Sequence, residues 1–275
     1  MNKDNFYSSA TIAQRTRSTK KDFIDGLKLW NLWGRLCFNE VKRRYRRTLL
    51  GPMWVAISLG IFALVLSMVW AALWKQNVRE YLPYLLSGLI PWMMIASSIG
   101  ESTSAFMSAE ALLKSRQFPY TMLIHVVIGR NVVVFGHNLL TFLIAALLCS
   151  VPINLYTLLV FPGFLLLIVN LSWICLLIAT LCLRFRDFQQ LVTILLQVIM
   201  FITPVFWPVS QLTGRTAIIV DINLLYHMID LVRSPLLGKP PSLESYIVCC
   251  IAMLLGWFAV FKLFSKKRHR LVYWF

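Results

Sequence analysis

The residues that could do chemistry in this sequence are few and scattered. His125, His137, His227 and His269 stand far apart, with no acidic neighbours at metal-ligand spacing. Cys37, Cys149, Cys175, Cys182, Cys249 and Cys250 form no CxxC pair, and most lie in apolar runs. They read as buried free thiols acting as small hydrophobes, and no metal site is expected. A phosphate-binding G-x-x-x-x-G-K-[ST] loop is absent: the only Gly-Lys is Gly238-Lys239, with Arg233 where the first glycine should stand. There is no G-x-G-x-x-G and no H-E-x-x-H. Asn170-Leu171-Ser172 matches a glycosylation triplet, but it lies in an apolar run and reads as chance.

What the sequence does concentrate is positive charge. Lys and Arg number 27 against 11 Asp and Glu, a formal net charge of +16. The run Lys42-Arg43-Arg44-Tyr45-Arg46-Arg47 is the densest cluster, and Arg is well suited to charge-assisted hydrogen bonds with phosphate. Its plainer role is to anchor the chain beside a membrane span. A second polar stretch, Glu101 to Arg130, holds Ala111-Leu112-Leu113-Lys114-Ser115-Arg116-Gln117-Phe118-Pro119-Tyr120. Apolar residues, two cations and a closing proline suit a short helix that fits a groove on a soluble partner domain. The plainer reading is an interfacial linker.

These residues are carried on a very apolar frame. Of all residues 59% are apolar and 14% charged, where soluble domains carry about a quarter charged. Mean hydropathy is +0.71. That composition excludes a disordered chain, a charge-driven nucleic-acid binder and an ordinary soluble enzyme. Several charge-free stretches exceed the ~20 residues a helix needs to cross a bilayer. The expected class is all-α and polytopic, with six transmembrane helices.

The spans are expected at about 49–74, 81–100, 131–151, 155–183, 188–206 and 245–264. Ahead of them, residues 1–48 form an N-terminal segment without the apolar core of a signal peptide. Within it, Phe23, Leu27, Trp30, Trp33, Cys37, Val41 and Tyr45 recur at three- and four-residue spacing over 22–47. That predicts an amphipathic helix lying in the membrane interface. Its alternative is a helix packed on a protein partner. Residues 101–130 form a loop on the same side, 208–244 a loop on the other, and 265–275 a basic tail. With both termini inside, 22 of the 27 Lys and Arg face the cytoplasm. The positive-inside rule therefore selects cytoplasmic termini, and the resemblance given below implies the bacterial inner membrane.

Ionisable residues inside spans usually mark ion or proton paths. Here the spans hold His137 and essentially no carboxylate, so an ion-coupled transporter is disfavoured. His137 alone reads as a hydrogen-bonded interhelical residue rather than a relay. If the chain takes part in transport, its energy is expected to come from another subunit. Ala56/Gly60 and Ala63/Ser67/Ala71 form small-xxx-small stripes in the first span, which permit close helix contact within or between chains. Aromatic residues are abundant, and by default they form interface belts. A subset facing a path would offer flat apolar faces with polar tips to a sugar chain.

Read together, the motifs resemble a family. Arg44-Tyr45-Arg46-Arg47-Thr48-Leu49-Leu50-Gly51-Pro52-Met53-Trp54 is similar to the start of the first span in bacterial ABC exporters of polysaccharide, the O-antigen branch in particular. Tyr84-Leu85-Leu86-Ser87-Gly88-Leu89-Ile90-Pro91-Trp92 resembles their second span. Leu112-Leu113-Lys114 with Phe118-Pro119 resembles their first cytoplasmic loop, and Arg186-Asp187 and Thr203-Pro204-Val205 the two ends of their fifth span. Asn223, Tyr226 and Arg233 resemble their outer loop, with Leu224 where proline is expected.

The resemblance covers about residues 30–264. It implies a homodimeric channel-forming subunit, two copies of an ATPase partner carrying ATP and Mg, a lipid-linked polysaccharide as cargo, and no enzyme activity, cofactor or nucleic acid on this chain. Arg43, Arg44, Arg46 and Arg47 would then meet the pyrophosphate head group. Leu112, Leu113, Lys114, Arg116, Phe118 and Pro119 would couple to the ATPase. Pro204, Phe206, Trp207 and Pro208 would break the fifth span and form an outer gate. Phe62, Trp70, Trp92 and Phe201 are the aromatic candidates for the sugar path. Export of capsule or teichoic acid is the alternative, and a transferase acting on lipid-linked sugars a more distant one.

Overall fold

A computed structural model describes residues 18–44, 46, 48–51, 53–73, 75–115, 118–209 and 218–275. Every regular element among them is helical. Residues 18–28 form α1. It is followed by α2 (Trp30–Arg44), α3 (Met53–Leu73), α4 (Val78–Ser102), the short α5 (Ala105–Ser108) and α6 (Glu110–Ser115), and α7 (Tyr120–Leu148). A 3-10 turn, Leu155–Leu159, leads into α8 (Val160–Arg184). Then come α9 (Phe188–Ile202), α10 (Ile218–Ile222), α11 (Leu224–Leu236) and α12 (Leu243–Lys267). A final 3-10 helix spans Arg268–Trp274.

Five segments are long and apolar enough to cross a membrane: α3, α4, α7, α8 with its preceding turn, and α12. The fifth span expected from sequence is shorter as a helix. α9 has 15 residues, about 22 Å at 1.5 Å per residue, against a hydrocarbon core of about 30 Å. It stops because Thr203 leaves helical geometry, with φ −78° and ψ 134°, immediately before Pro204. Proline disfavours helical backbone at the residue before it.

The centre of the bundle is α4. It packs against α3, α7, α8, α9 and α11. Its apolar window is 72% buried, where those of the other four spans are 22–39% buried. The outward faces of those four carry large apolar side chains in the open, among them Ile61, Leu147, Phe161 and Leu254. A continuous apolar exterior of this kind suits lipid rather than water.

The small-residue stripe of α3 is a contact within the chain. Ala56, Ala63, Ser67 and Ala71 are buried, and the Thr141 hydroxyl on α7 donates to the Ala56 carbonyl at 2.8 Å.

Two more sequence expectations change. The loop expected over 101–130 is shorter, because α4 continues to Ser102 and α7 begins at Tyr120. Arg130 interrupts the apolar run in sequence, but inside α7 its charge is paired with Glu40 of α2 and Glu101 of α4. The single helix expected over 22–47 is two, turning at Leu29. α1 packs on α12 through Phe23 and Trp257, whereas α2 packs on α7, where a Cβ on Gly129 would lie 3.4 Å from the Cys37 sulfur. α1 is also held at the first turn of α7, and α2 sits further along that helix, so the chain turns between the two seats. Of its expected apolar face, Cys37 and Val41 are buried in the protein, while Leu27 and Trp30 are exposed.

At the C-terminus the basic tail is docked: Leu271 is fully buried and the Arg184 guanidinium lies 5.4 Å from the Trp274 ring centroid.

Candidate functional site

Beyond the end of α9, the backbone carbonyls of residues 204–207 have no helical partners. Side chains from α4 and α11 take them over. Arg233 is buried, and its Nη1 donates to the Pro204 carbonyl at 2.6 Å while Nη2 donates to the Val205 carbonyl at 3.0 Å. Tyr84 donates its hydroxyl to the Trp207 carbonyl at 3.0 Å, and Tyr81 donates to the Phe206 carbonyl. The Arg233 guanidinium also donates to the Tyr84 hydroxyl at 3.2 Å and lies 4.6 Å from the Tyr84 ring centroid. Arg suits this place because its planar fork can satisfy two carbonyls at once and stack on an aromatic face. The segment Pro204–Trp207 is thus held by a clamp of two tyrosines and one arginine.

Two further features fix α11 beneath this clamp. Asn223 caps it, accepting from the N–H of Leu225 at 3.0 Å and of Tyr226 at 3.3 Å, while its amide donates to the Thr203 hydroxyl at 2.8 Å. One side chain therefore starts α11 and ties it to the end of α9. At the other end, buried Asp230 accepts from the hydroxyls of Ser234 at 2.5 Å, Ser245 at 2.8 Å and Ser242 at 3.2 Å. This joins α11 to α12. Asp230 and Arg233 sit three apart on one helix, a spacing that usually pairs opposite charges. Here each turns to a different neighbour.

The aromatic candidates divide. Phe62 and Trp92 line one apolar groove of about 630 Å³ between α3, α4 and α9, together with Trp54, Met93 and Met200. Phe201 is 70% exposed and stacks toward Phe206, 6.2 Å between ring centroids, outside that groove. Trp70 packs partly buried against the core, also outside the groove.

The gate candidates meet the clamp through their backbones: Pro204, Phe206 and Trp207 each present a carbonyl to it, and Pro208 follows half-buried. The Trp207 indole donates to the Phe201 carbonyl at 3.1 Å, closing the turn on itself.

Of the basic cluster, Arg43 lies in the last turn of α2 and is exposed, as is Arg46 just beyond it. The Arg44 side chain and Arg47 lie outside the described residues. In the coupling segment, Leu112 and Phe118 are half-buried against the core and Leu113 is buried. Pro119 is buried at the cap position of α7. The Lys114 side chain and Arg116 are again outside the described residues. A cavity of about 370 Å³ lies beside this segment, lined by Leu36, Glu40, Glu101, Ser108, Leu112 and Arg130 among others.

Sequence reasoning missed the tyrosines of the clamp as partners of Arg233, the Glu40–Arg130–Glu101 cluster, and Asp230. One signal was available. Tyr81 and Tyr84 are three apart, so they share a helix face. The distance between them and Arg233 in sequence carried no signal. His137, expected to bond between helices, instead has its Nδ1 2.7 Å from the Val133 carbonyl of its own helix. Among the described residues, no group of three or more His, Cys, Asp or Glu could hold a metal ion.

A helical bundle with a lipid-suited exterior and a polar clamp at one end defines a multi-pass membrane protein. The ABC-2 type transporter family matches residues 32–237, and the chain belongs to that family. Its relatives include the O-antigen export system permease protein RfbA of Myxococcus xanthus, 27% identical over 179 residues, covering 65% of this chain and 68% of that protein. Two proteins of the same description from Klebsiella pneumoniae are each 23% identical. One aligns over 207 residues, 69% of this chain and 74% of its own. The other aligns over 252 residues, 84% of this chain and 90% of its own.

Proposed function

We propose that the chain is the channel-forming membrane subunit of an ATP-driven exporter that moves lipid-linked O-antigen polysaccharide across the bacterial inner membrane. The observation that carries this reading is its likeness to O-antigen export permeases, reaching 84% of the chain. On this reading the motor is a separate ATPase carrying ATP and Mg, in keeping with membership of the ABC-2 family. The chain itself is then a transport subunit and not an enzyme. It works as a homodimer with two ATPase copies.

The geometry supplies roles. In this proposal α9 with the segment after it is the sixth crossing; six crossings put both termini on one side, and the excess of Lys and Arg there makes that side the cytoplasm. Irregular backbone at membrane depth is tolerated where protein satisfies its polar groups, which is what Arg233, Tyr81 and Tyr84 do. The clamp thereby holds the outer gate. Phe62 and Trp92, sharing one groove, are the aromatic pair that faces the cargo. Arg43 and Arg46, exposed at the end of α2, receive the pyrophosphate, and α6 with Phe118 meets the ATPase.

The test is isolation of the tagged chain from its native membrane, with intact-mass stoichiometry and an ATPase assay. The expected result is an equimolar Walker-type partner that hydrolyses ATP. A chain that emerges alone and inactive from gentle solubilisation would sink the reading.

A further inference from the structure

At the end of the bundle opposite the clamp, one carboxylate joins three segments far apart in sequence. Asp22 of α1 is buried. Its carboxylate accepts from the backbone N–H of Tyr120 at 3.3 Å and of Thr121 at 3.2 Å, and the Thr121 hydroxyl lies 3.1 Å away. Those amides open the first turn of α7. The cap position of that helix is Pro119, which makes no side-chain cap bond. Asp22 thus supplies from 98 residues away the acceptor that the local sequence lacks, and its negative charge suits a helix N-terminus.

The same carboxylate accepts from Nε of Arg268 at 2.9 Å, and Nη1 of Arg268 donates to the Ser18 hydroxyl at 2.7 Å. The docked tail is therefore tied to the same point.

Independent packing observations mark this as a built joint. A Cβ on Gly26, one turn along α1, would lie 2.2 Å from Oγ1 of Thr121, so only glycine lets α1 seat this closely. Phe23 packs edge-on against Trp257 and Phe264, and Tyr120 packs against Phe264 and Phe106. Immediately before Tyr120 stand Phe118 and Pro119, the end of the segment assigned to ATPase contact.

We propose that Asp22 is the positioning residue of energy coupling, the joint that makes α1, the first turn of α7 and the C-terminal tail move as one body when the ATPase displaces α6 and Phe118. This rests on reading the chain as an ABC exporter subunit. The physical reason is the cost of separation. Parting Asp22 from its donors would strand a buried carboxylate and two helix-start amides, so the three segments follow one another rather than part.

The test uses the full complex with its ATPase partner in proteoliposomes, measuring ATP hydrolysis and glycan exported per ATP. Asp22→Ala removes cap and ion pair together. Asp22→Asn keeps an acceptor oxygen but loses the charge, and Arg268→Gln frees only the tail. Asp22→Ala is expected to lower glycan exported per ATP by about tenfold while hydrolysis stays within about twofold, a coupling loss of ordinary size. Asp22→Asn and Arg268→Gln should fall between it and wild type.

A parallel fall of export and hydrolysis, tracking the amount of assembled complex, would overturn the proposal by making the joint merely structural. If Asp22→Ala does not fold, Arg268→Gln decides: an unchanged export-to-hydrolysis ratio overturns it. Failure of the exporter reading looks different, since wild type would then bring down no ATPase and move no glycan.

Discussion

A Cβ placed on Gly88 would lie 1.7 Å from Nη2 of Arg233. The buried guanidinium of α11 occupies the space that any other residue on α4 would fill. Gly88 therefore belongs to the clamp as much as the two tyrosines, although it contributes no polar atom. Gly88→Ala should expel the guanidinium and leave the Pro204 and Val205 carbonyls unpaired, costing about 3 kcal/mol or more. The check is the thermal midpoint of the purified protein in detergent, with Arg233→Ala for comparison. Midpoints within error of wild type for both would show that the clamp does not hold 204–207.

Arg233→Lys keeps the charge and loses the fork. One ammonium is not built to bond both carbonyls and stack on Tyr84 as the planar guanidinium does. The variant should remain folded but with a lower midpoint than wild type, and glycan export should fall further than the midpoint suggests. Export at wild-type level would separate the clamp from the gate.

The two tyrosines are expected to differ. Tyr84→Phe loses a donor to the Trp207 carbonyl and an acceptor for Arg233, whereas Tyr81→Phe loses its bond to the Phe206 carbonyl. Each buried bond is worth about 0.5–1.5 kcal/mol, and those to charge about 1.5–3. Tyr84→Phe should be the more damaging, read as the order of the two thermal midpoints.

Arg130 joins α2 to α4 and α7 through Glu40 and Glu101, and the Asn131 amide donates to Glu101 at 2.9 Å. Arg130→Gln leaves two carboxylates facing each other without a cation, so α2 should loosen. Hydrogen exchange of the α2 amides should quicken while that of α4 stays slow. Unchanged exchange in α2 would mean that Cys37, Val41 and Gly129 alone hold the helix.

The Cys37 thiol is pushed up from its ordinary range chiefly by burial, with Glu40 adding to the rise and Arg130 opposing it. Less thiolate at a given pH means slower alkylation. In a variant whose only cysteine is Cys37, maleimide labelling at neutral pH should lag well behind a free thiol, and should quicken as the pH is raised. Fast labelling of the otherwise unaltered chain would place Cys37 on an open surface.

The sequence by itself determined the class, most of the helices and the family. Charge-free runs longer than a bilayer span announce themselves in one dimension, because lipid forbids charge over a fixed length whatever the neighbours are. For that reason α3, α4, α8 and α12 fall within a few residues of their expected bounds. Where charge is neutralised by a distant partner the same rule fails. Arg130 looked like the end of a loop, and only Glu40 and Glu101 allow it to sit inside α7. The small residues of α3 announced a close contact, but only packing showed that the neighbour is Thr141 of the same chain.

Tertiary structure alone decided what the polar residues do. Asp22 caps a helix 98 residues away, Arg233 holds carbonyls 28 and 29 residues behind it, and Phe62 and Trp92 share a groove that Trp70 and Phe201 do not reach. Hydropathy is a property of each segment, but a hydrogen bond needs a donor and an acceptor brought together at a set angle and distance. That meeting is made by the packing of α1, α4, α7 and α11.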